Sequence, residues 1–206
     1  KDRENLFSSD GNREPLACVD ASLDVDLHDG RVRAGHDIQM ADGPVIAKCA
    51  KLQKVSFSIP GAEYMQLRNC AVDVVWLRQL LFEIGLEEWI SQPTEVMCDS
   101  SGAIDWCKFG RLTVGNKHIA LAYHEVQQWY KEGVLIPVKI GTKFNKADMQ
   151  TKGPTIQMVI TFVKWLTGYE KAPPEFVECL RLHRLKVKTQ LEAEASMTLG
   201  LQKVKV

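Results

Sequence analysis

A chain of 206 residues that is 45% hydrophobic and 25% charged has the material for a buried core, which excludes a disordered or fibrous segment. Its 26 Lys/Arg and 26 Asp/Glu cancel, so net charge argues neither for nor against a nucleic-acid partner, although residues 101–206 hold 16 basic against 9 acidic side chains. The absence of any apolar run of about eighteen residues excludes a membrane-spanning helix. Six widely spaced cysteines (Cys18, Cys49, Cys70, Cys98, Cys107 and Cys179) form no C-x-x-C pair and no zinc-finger spacing. They are expected as buried free thiols in a reducing, intracellular compartment, cytoplasmic or nuclear. The chain starts at Lys1, without an initiator Met or a signal peptide, as expected of a piece of something longer.

Residues 1–14 are polar and read as a flexible lead-in. Leu16 to Ser22 is a short apolar run with one acid, Asp20, at its middle, the pattern of a buried strand. After turn chemistry over 24–30, Val32–Met40 and Val45–Cys49 read as two strands joined through Ala41-Asp-Gly-Pro44. A helix follows, with Pro60 and Glu63 in its first turn. Leu67, Ala71, Val74, Leu77, Leu81 and Ile84 line one face, and Gly85 ends it. Glu95–Cys98 is a fourth strand, closed by Asp99, and a short helix runs from Ser100 to about Lys108. A further helix spans His118 to Tyr130 and stops at Gly133, and Val134–Ile140 is a fifth strand. A polar connection over Lys143–Gly153 contains Asp148, which is placed to open a last helix.

The resulting order, three strands and then alternating helices and strands, predicts an α/β domain with a mixed sheet and helices on its faces. It is expected over 15–153. Beyond it, 154–206 reads as a C-terminal helical extension, interrupted at Pro173-Pro174 and rich in Leu, Lys and Glu. Arg181, Arg184, Lys186 and Lys188 fit a solvated helix face. The five tryptophans (76, 89, 106, 129 and 165) fit core or interface positions.

Four acids stand apart by position. Asp20 lies within an apolar strand, Glu63 at a helix start, Asp99 at a strand end and Asp148 after the last strand. An ionised carboxylate in a core is costly unless it is paired or bound to a cation. Hard oxygen ligands suit magnesium or manganese, and two such ions are standard apparatus for phosphodiester chemistry. Each acid also has a plainer reading: Asp20 and Asp99 as satisfied core acids, Glu63 as a helix-dipole acid, Asp148 as an N-cap.

The flanking motifs separate these readings. Cys18-Val-Asp20-Ala, Ser58-Ile-Pro-Gly-Ala-Glu63-Tyr64 and Cys98-Asp99-Ser-Ser-Gly-Ala-Ile104 occur in order. Asn116-Lys-His118-Ile with Tyr123-His124, and Asn145-Lys-Ala-Asp148-Met-Gln-Thr-Lys152, follow. Together they resemble the ribonuclease H domain of copia-type LTR retrotransposon Pol polyproteins, from about residue 16 to 153. The resemblance implies an RNase H-like fold, a five-stranded mixed sheet with helices on both faces. It implies a metal-dependent endoribonuclease that cleaves the RNA strand of RNA–DNA hybrids. It also implies Asp20, Glu63, Asp99 and Asp148 as catalytic ligands of two Mg2+ or Mn2+ ions, with Asp20 and Asp99 on neighbouring parallel strands. Lys117, His118 and Ser100 fall where the family contacts nucleic acid. The hybrid would be read by phosphate and 2′-hydroxyl contacts, hence by shape.

The chain departs from the family at several flanks. Gly61 replaces the first Glu of E-A-E, Ile59-Pro60 replace threonines, Ser100 replaces Asn, and Ala120 replaces an Asp. Residues 133–147 hold no histidine, leaving the role of a loop His to His118 or His124 or to nothing. The alternative is a domesticated RNase H-like domain acting as a non-catalytic structural or interaction subunit of a larger assembly; in either case 154–206 is the segment expected to meet other Pol domains or a larger assembly. Against it, a scaffold has no reason to keep four mutually repelling carboxylates together.

Overall fold

The structure is a computed structural model. It describes residues 13–25, 31–52, 58–109 and 120–151, with residues 160, 163, 164, 174, 175, 177, 178, 181, 182, 185 and 189. Lys117, His118, Trp165, Cys179 and most of 154–206 lie outside the described residues.

Strand β1 (Leu16–Val25) is followed by β2 (Val32–Met40) and β3 (Gly43–Lys51). Helix α1 (Ile59–Glu83), β4 (Thr94–Cys98), α2 (Ser101–Phe109) and α3 (Ala120–Lys131) come next, then β5 (Leu135–Lys139) and the one-turn α4 (Asp148–Thr151). Short 3-10 turns occupy Glu87–Ile90 and Thr142–Phe144. The strands form one sheet in the order β3-β2-β1-β4-β5, antiparallel from β1 to β3 and parallel from β1 through β4 to β5. This is the five-stranded mixed sheet expected from the sequence.

The β2–β3 hairpin closes on two residues, Ala41 and Asp42, both at positive φ (48° and 64°). Such a turn matches the twist of its strands. Gly43 and Pro44, expected within the connection, instead open β3, whose edge position tolerates proline. Pro137 in β5 sits at the other edge for the same reason.

Ser58 caps α1, its hydroxyl accepting the Gly61 amide at 3.2 Å. The helix ends where Gly85 takes φ 79°, with Gly85 N–H donating to Phe82 O and Leu86 N–H to Leu81 O. That pair is a Schellman motif, and Gly133 repeats it after α3. Leu67, Ala71, Val74, Leu77 and Leu81 are buried as expected, joined by Cys70. Ile84 is not: it is the C-cap residue, where the chain leaves the helical path, and it is exposed. Trp76 is also a surface residue, 58% exposed, whereas Trp89, Trp106 and Trp129 pack partly buried against the core.

Side-chain alternation divides the sheet. Ala17 and Val19 of β1, Ile38 of β2 and Val96 and Cys98 of β4 join Tyr64, Leu67, Ala71 and Val74 of α1 in the main core. Helix α4 contacts β1, β2 and β3 from the opposite face, where Gln150 lies against Gly35. Helices therefore cover both faces. Arg78 of α1 secures the approach to β4 by donating to the carbonyls of Ile90 and Gln92 and to Thr94 Oγ1 (2.7, 2.8 and 3.2 Å).

The chain divides into two compact units, Lys1–Glu170 and Lys171–Val206. In the second, the described residues are helical and exposed, and Arg181 forms a forked pair with Glu178 at 2.7 and 2.8 Å. The described cysteines are all free: Cys18, Cys70, Cys98 and Cys107 are buried as expected, but Cys49 on edge strand β3 is exposed. No helix among the described residues is long and apolar enough to cross a membrane.

Candidate metal centre

Strand β1 pairs with β4 from Leu16↔Glu95 to Val19↔Cys98. Asp20 and Asp99 are each the next residue along these parallel neighbours, the relation expected from the sequence. At that point β4 ends and α2 begins, so the two carboxylates meet where the sheet opens beyond the strand. Such strand ends are where α/β sheets leave room for ligands.

Asp148 reaches the same place as the first residue of α4. Ligand oxygens of Asp20, Asp99 and Asp148 all lie within 4.8 Å of one another. A second group, also within 4.8 Å, joins Glu63, Cys98 and Asp99. Asp99 belongs to both, so the four acids singled out from the sequence form one continuous cluster. Glu63 is the fifth residue of α1, just past the first turn, which holds no acid. Its expected first-turn position is thus one residue off, and its carboxylate is directed to the cluster. Asp20 and Glu63 are buried, 1% and 5% exposed; Asp99 and Asp148 are half-buried.

The donor set fits a hard divalent cation. At an effective dielectric constant of about 20, two full negative charges at this separation repel by about 3 kcal/mol, and a shared cation removes that cost. Burial first, then the nearby Glu63 charge, push the Cys98 thiol far above the ordinary cysteine range.

Several groups hold the acids in place. Thr151 Oγ1 donates to Asp20 Oδ2, and Lys139 Nζ donates to the backbone carbonyl of Asp99. Asn145, fully buried, donates from Nδ2 to Val19 O (2.9 Å) and accepts the Ala147 amide on Oδ1 (3.2 Å). The loop entering α4 is thereby fastened to the residue preceding Asp20. Gly35, directly opposite Asp20 in the β1–β2 register, lets α4 come close: a Cβ there would stand 2.7 Å from Gln150 Cβ. Gly35, Thr151 and Lys139 carried no role in the sequence reading. Thr151 and Asn145 were visible only as letters of the last motif; nothing in the sequence marks Gly35 as a contact.

A fifth acid lies on the same sheet face. Asp37 is fully buried with neither carboxylate oxygen hydrogen-bonded, and burial raises its pKa to about 7 despite the opposing charge of Lys146. Lys146 is itself buried, donates to Gln39 Oε1, and is lowered by desolvation.

Ser100, expected at a nucleic-acid contact, caps α2 by accepting the Ala103 amide at 3.3 Å. His124 is an exposed residue of α3 beside an open depression of about 430 Å3 lined also by Gln127, Gln128, Lys131 and Glu132.

The chain is 32% identical over 145 residues to the retrovirus-related Pol polyprotein from transposon TNT 1-94 of Nicotiana tabacum, covering 69% of this chain and 11% of that protein. It is 29% identical over 178 residues to the corresponding polyprotein of transposon RE2 of Arabidopsis thaliana, covering 86% of this chain and 12% of that protein. The chain thus resembles one segment of retrovirus-related Pol polyproteins and spans about a tenth of their length. No protein-family model matches it. Among solved structures, it is similar to the N-terminal RNase H domain of a Mycobacterium tuberculosis protein (16% identity, 67% of this chain and 90% of that one, TM-score 0.47). It is also similar to an RNase H1 isolated from compost by a metagenomic approach (18% identity, 67% and 92%, TM-score 0.49).

Proposed function

We propose that this segment, related to retrotransposon Pol polyproteins, is a copia-type ribonuclease H: a metal-dependent endoribonuclease that hydrolyses the RNA strand of RNA–DNA hybrids. The observation that carries the reading is the convergence of Asp20, Asp99 and Asp148, joined through Asp99 to Glu63, from separate elements of the fold. Surface acids spread over a sheet would gain nothing from this arrangement, which accumulates repulsion that a cation relieves.

In this reading Asp20, Glu63, Asp99 and Asp148 are the ligands of two Mg2+ or Mn2+ ions. Bound there, the ions would activate the attacking water and stabilise charge on the leaving oxygen. The residues of the chain supply position. Strands β1 and β4 hold Asp20 and Asp99 side by side, α1 brings Glu63 from one side of the sheet, and α4 brings Asp148 from the other. Ser100 uses its oxygen lone pair as the α2 cap, which leaves its O–H proton for a phosphate or ribose oxygen. Lys117 and His118 are the further proposed contacts to the hybrid, and recognition is by duplex shape and 2′-hydroxyls. The catalytic domain is assigned to 15–153. The extension 154–206 is assigned to other Pol segments or a larger assembly, in a reducing intracellular compartment.

The test is cleavage of a labelled RNA–DNA hybrid in Mg2+ or Mn2+ by the parent and by Asp99→Asn. The parent is expected to cut the RNA strand and the variant to fall to background, because Asp99 is shared by both ligand groups. No cleavage by folded parent protein with either metal would overturn the reading and leave a non-catalytic subunit.

A further inference from the structure

We propose that Thr151 is a positioning residue that fixes the Asp20 carboxylate relative to Asp148, and so sets the affinity of the site for a divalent cation. The inference rests on the metal-site reading above. Thr151 is 5% exposed, and its Oγ1 lies within hydrogen-bonding reach of two acceptors, Asp20 Oδ2 and the Asp148 backbone carbonyl, the latter at 3.3 Å. A hydroxyl has one proton. The carboxylate is the more strongly accepting oxygen, so the proton goes to Asp20. One side chain then ties the β1 acid to the turn that carries the α4 acid, across 131 positions of sequence.

The geometry of α4 makes this tie consequential. A single helical turn is not stable by itself, since nucleation costs more than one hydrogen bond returns. Its placement comes from what it touches: Gly35 beneath Gln150, the Cys49 thiol donating to Gln150 O at 2.8 Å, and Asn145 fastened to Val19 O. These contacts locate the turn. The Thr151 hydroxyl adds a direct tie to the Asp20 carboxylate, holding Oδ2 on the side of α4. Hydrogen bonds to ligating carboxylates act this way in metal sites generally, and their loss typically costs about 10–100-fold in metal affinity.

The experiment is a Mn2+ titration of the full chain by calorimetry and by electron paramagnetic resonance, with the parent, Thr151→Val, Thr151→Ser and Asp99→Asn. Thr151→Val keeps the shape and removes the donor, and is expected to weaken Mn2+ binding about 10–100-fold. Thr151→Ser keeps the donor and is expected to bind within about threefold of the parent. A purely structural threonine would lower the melting temperature and leave Mn2+ affinity of the folded protein unmoved. If the valine methyl against Asp20 prevents folding, Thr151→Ala removes the hydroxyl without adding bulk and reads the same effect. Parental affinity in Thr151→Val or Thr151→Ala would overturn the positioning role while leaving the metal site standing. Failure of the parent to bind Mn2+, with Asp99→Asn no different, would overturn the site itself and this inference with it.

Discussion

At the scale of single residues, the proposed metal site sets stability against metal binding. Asp99 belongs to both ligand groups, within 4.8 Å of Asp20 and Asp148 in one and of Glu63 in the other. Replacing one ionised member by a neutral isostere removes repulsion of about 3 kcal/mol per close pair before solvent and counterions screen it. In chelator, Asp99→Asn is therefore expected to be more stable than the parent, by about 1–3 kcal/mol in urea unfolding. In Mg2+ at about 100 times the dissociation constant, the parent should gain about 2.7 kcal/mol and the variant little, reversing or closing the order. An Asp99→Asn protein less stable than the parent in chelator would show that the acids are not held against mutual repulsion.

Asp37 gives a second residue-scale test, with the opposite chemistry. Its folded-state pKa is raised to about 7 from 3.8, chiefly by burial. Between those values the folded protein holds a proton that the unfolded chain has released, so stability falls as pH rises through the window. Asp37→Asn cannot titrate. Its stability relative to the parent is expected to increase from pH 4 to pH 7, with a slope of up to about 1.4 kcal/mol per pH unit, and then level off. Denaturant midpoints at several pH values measure this, and a flat difference across the window would show that Asp37 is ionised in the folded protein.

At the scale of elements, α4 is four residues long and owes its place to the sheet. A Cβ on Gly35 would meet Gln150 Oε1 at 2.5 Å and Gln150 Cβ at 2.7 Å. The amide oxygen can swing away, but the Cβ moves only if the backbone of α4 moves. Gly35→Ala is expected to cost about 1–3 kcal/mol and to displace Asp148 from Asp20 and Asp99, with loss of metal binding and unchanged sheet content by circular dichroism. Gln150→Ala should not rescue it, because the obstructing carbon remains. Parental metal affinity in Gly35→Ala would mean that α4 has another seat. Helix α1 presents the contrasting case: its 25 residues carry a continuous buried stripe. Leu67→Ala there is expected to cost about 2–5 kcal/mol of global stability, read by thermal unfolding, without a specific effect on the site.

At the scale of the whole sheet, topology creates the place for the acids. Strand β1 has ten residues, yet its pairing with β4 covers Leu16 to Val19. Asp20 is the first β1 residue beyond that pairing and is still held on its other side by β2, opposite Gly35. A central strand that outruns one neighbour can hold a buried acid rigidly and still leave it facing an opening. The parallel relation of β1 and β4 is what puts Asp99 at the same level, since both chains leave the sheet in the same direction.

The sequence by itself determined the order of elements and the identity of the four acids. Hydrophobic periodicity marks which segments bury a face, and Gly85 and Gly133 mark helix ends because positive φ disfavours other residues. Acids inside apolar runs stand out because burying charge is costly. The resemblance carried by the flanking motifs then implies one chemistry for Asp20, Glu63, Asp99 and Asp148, the reading proposed above. The tertiary structure decided what no local pattern encodes: that Asp99 bridges two groups, that Thr151 reaches Asp20, that Gly35 is a seat for α4, and that Asp37 lies buried with its oxygens unbonded. Asp37 sits in a segment whose alternation gives no sign of burial on both faces, yet it is fully buried beside Lys146. Ile84 and Trp76 err the other way, apolar by type but outside the core, because a helix end and an outer face are fixed by what packs against them. Periodicity records which face is apolar, whereas contact across the fold depends on where separate elements come to rest.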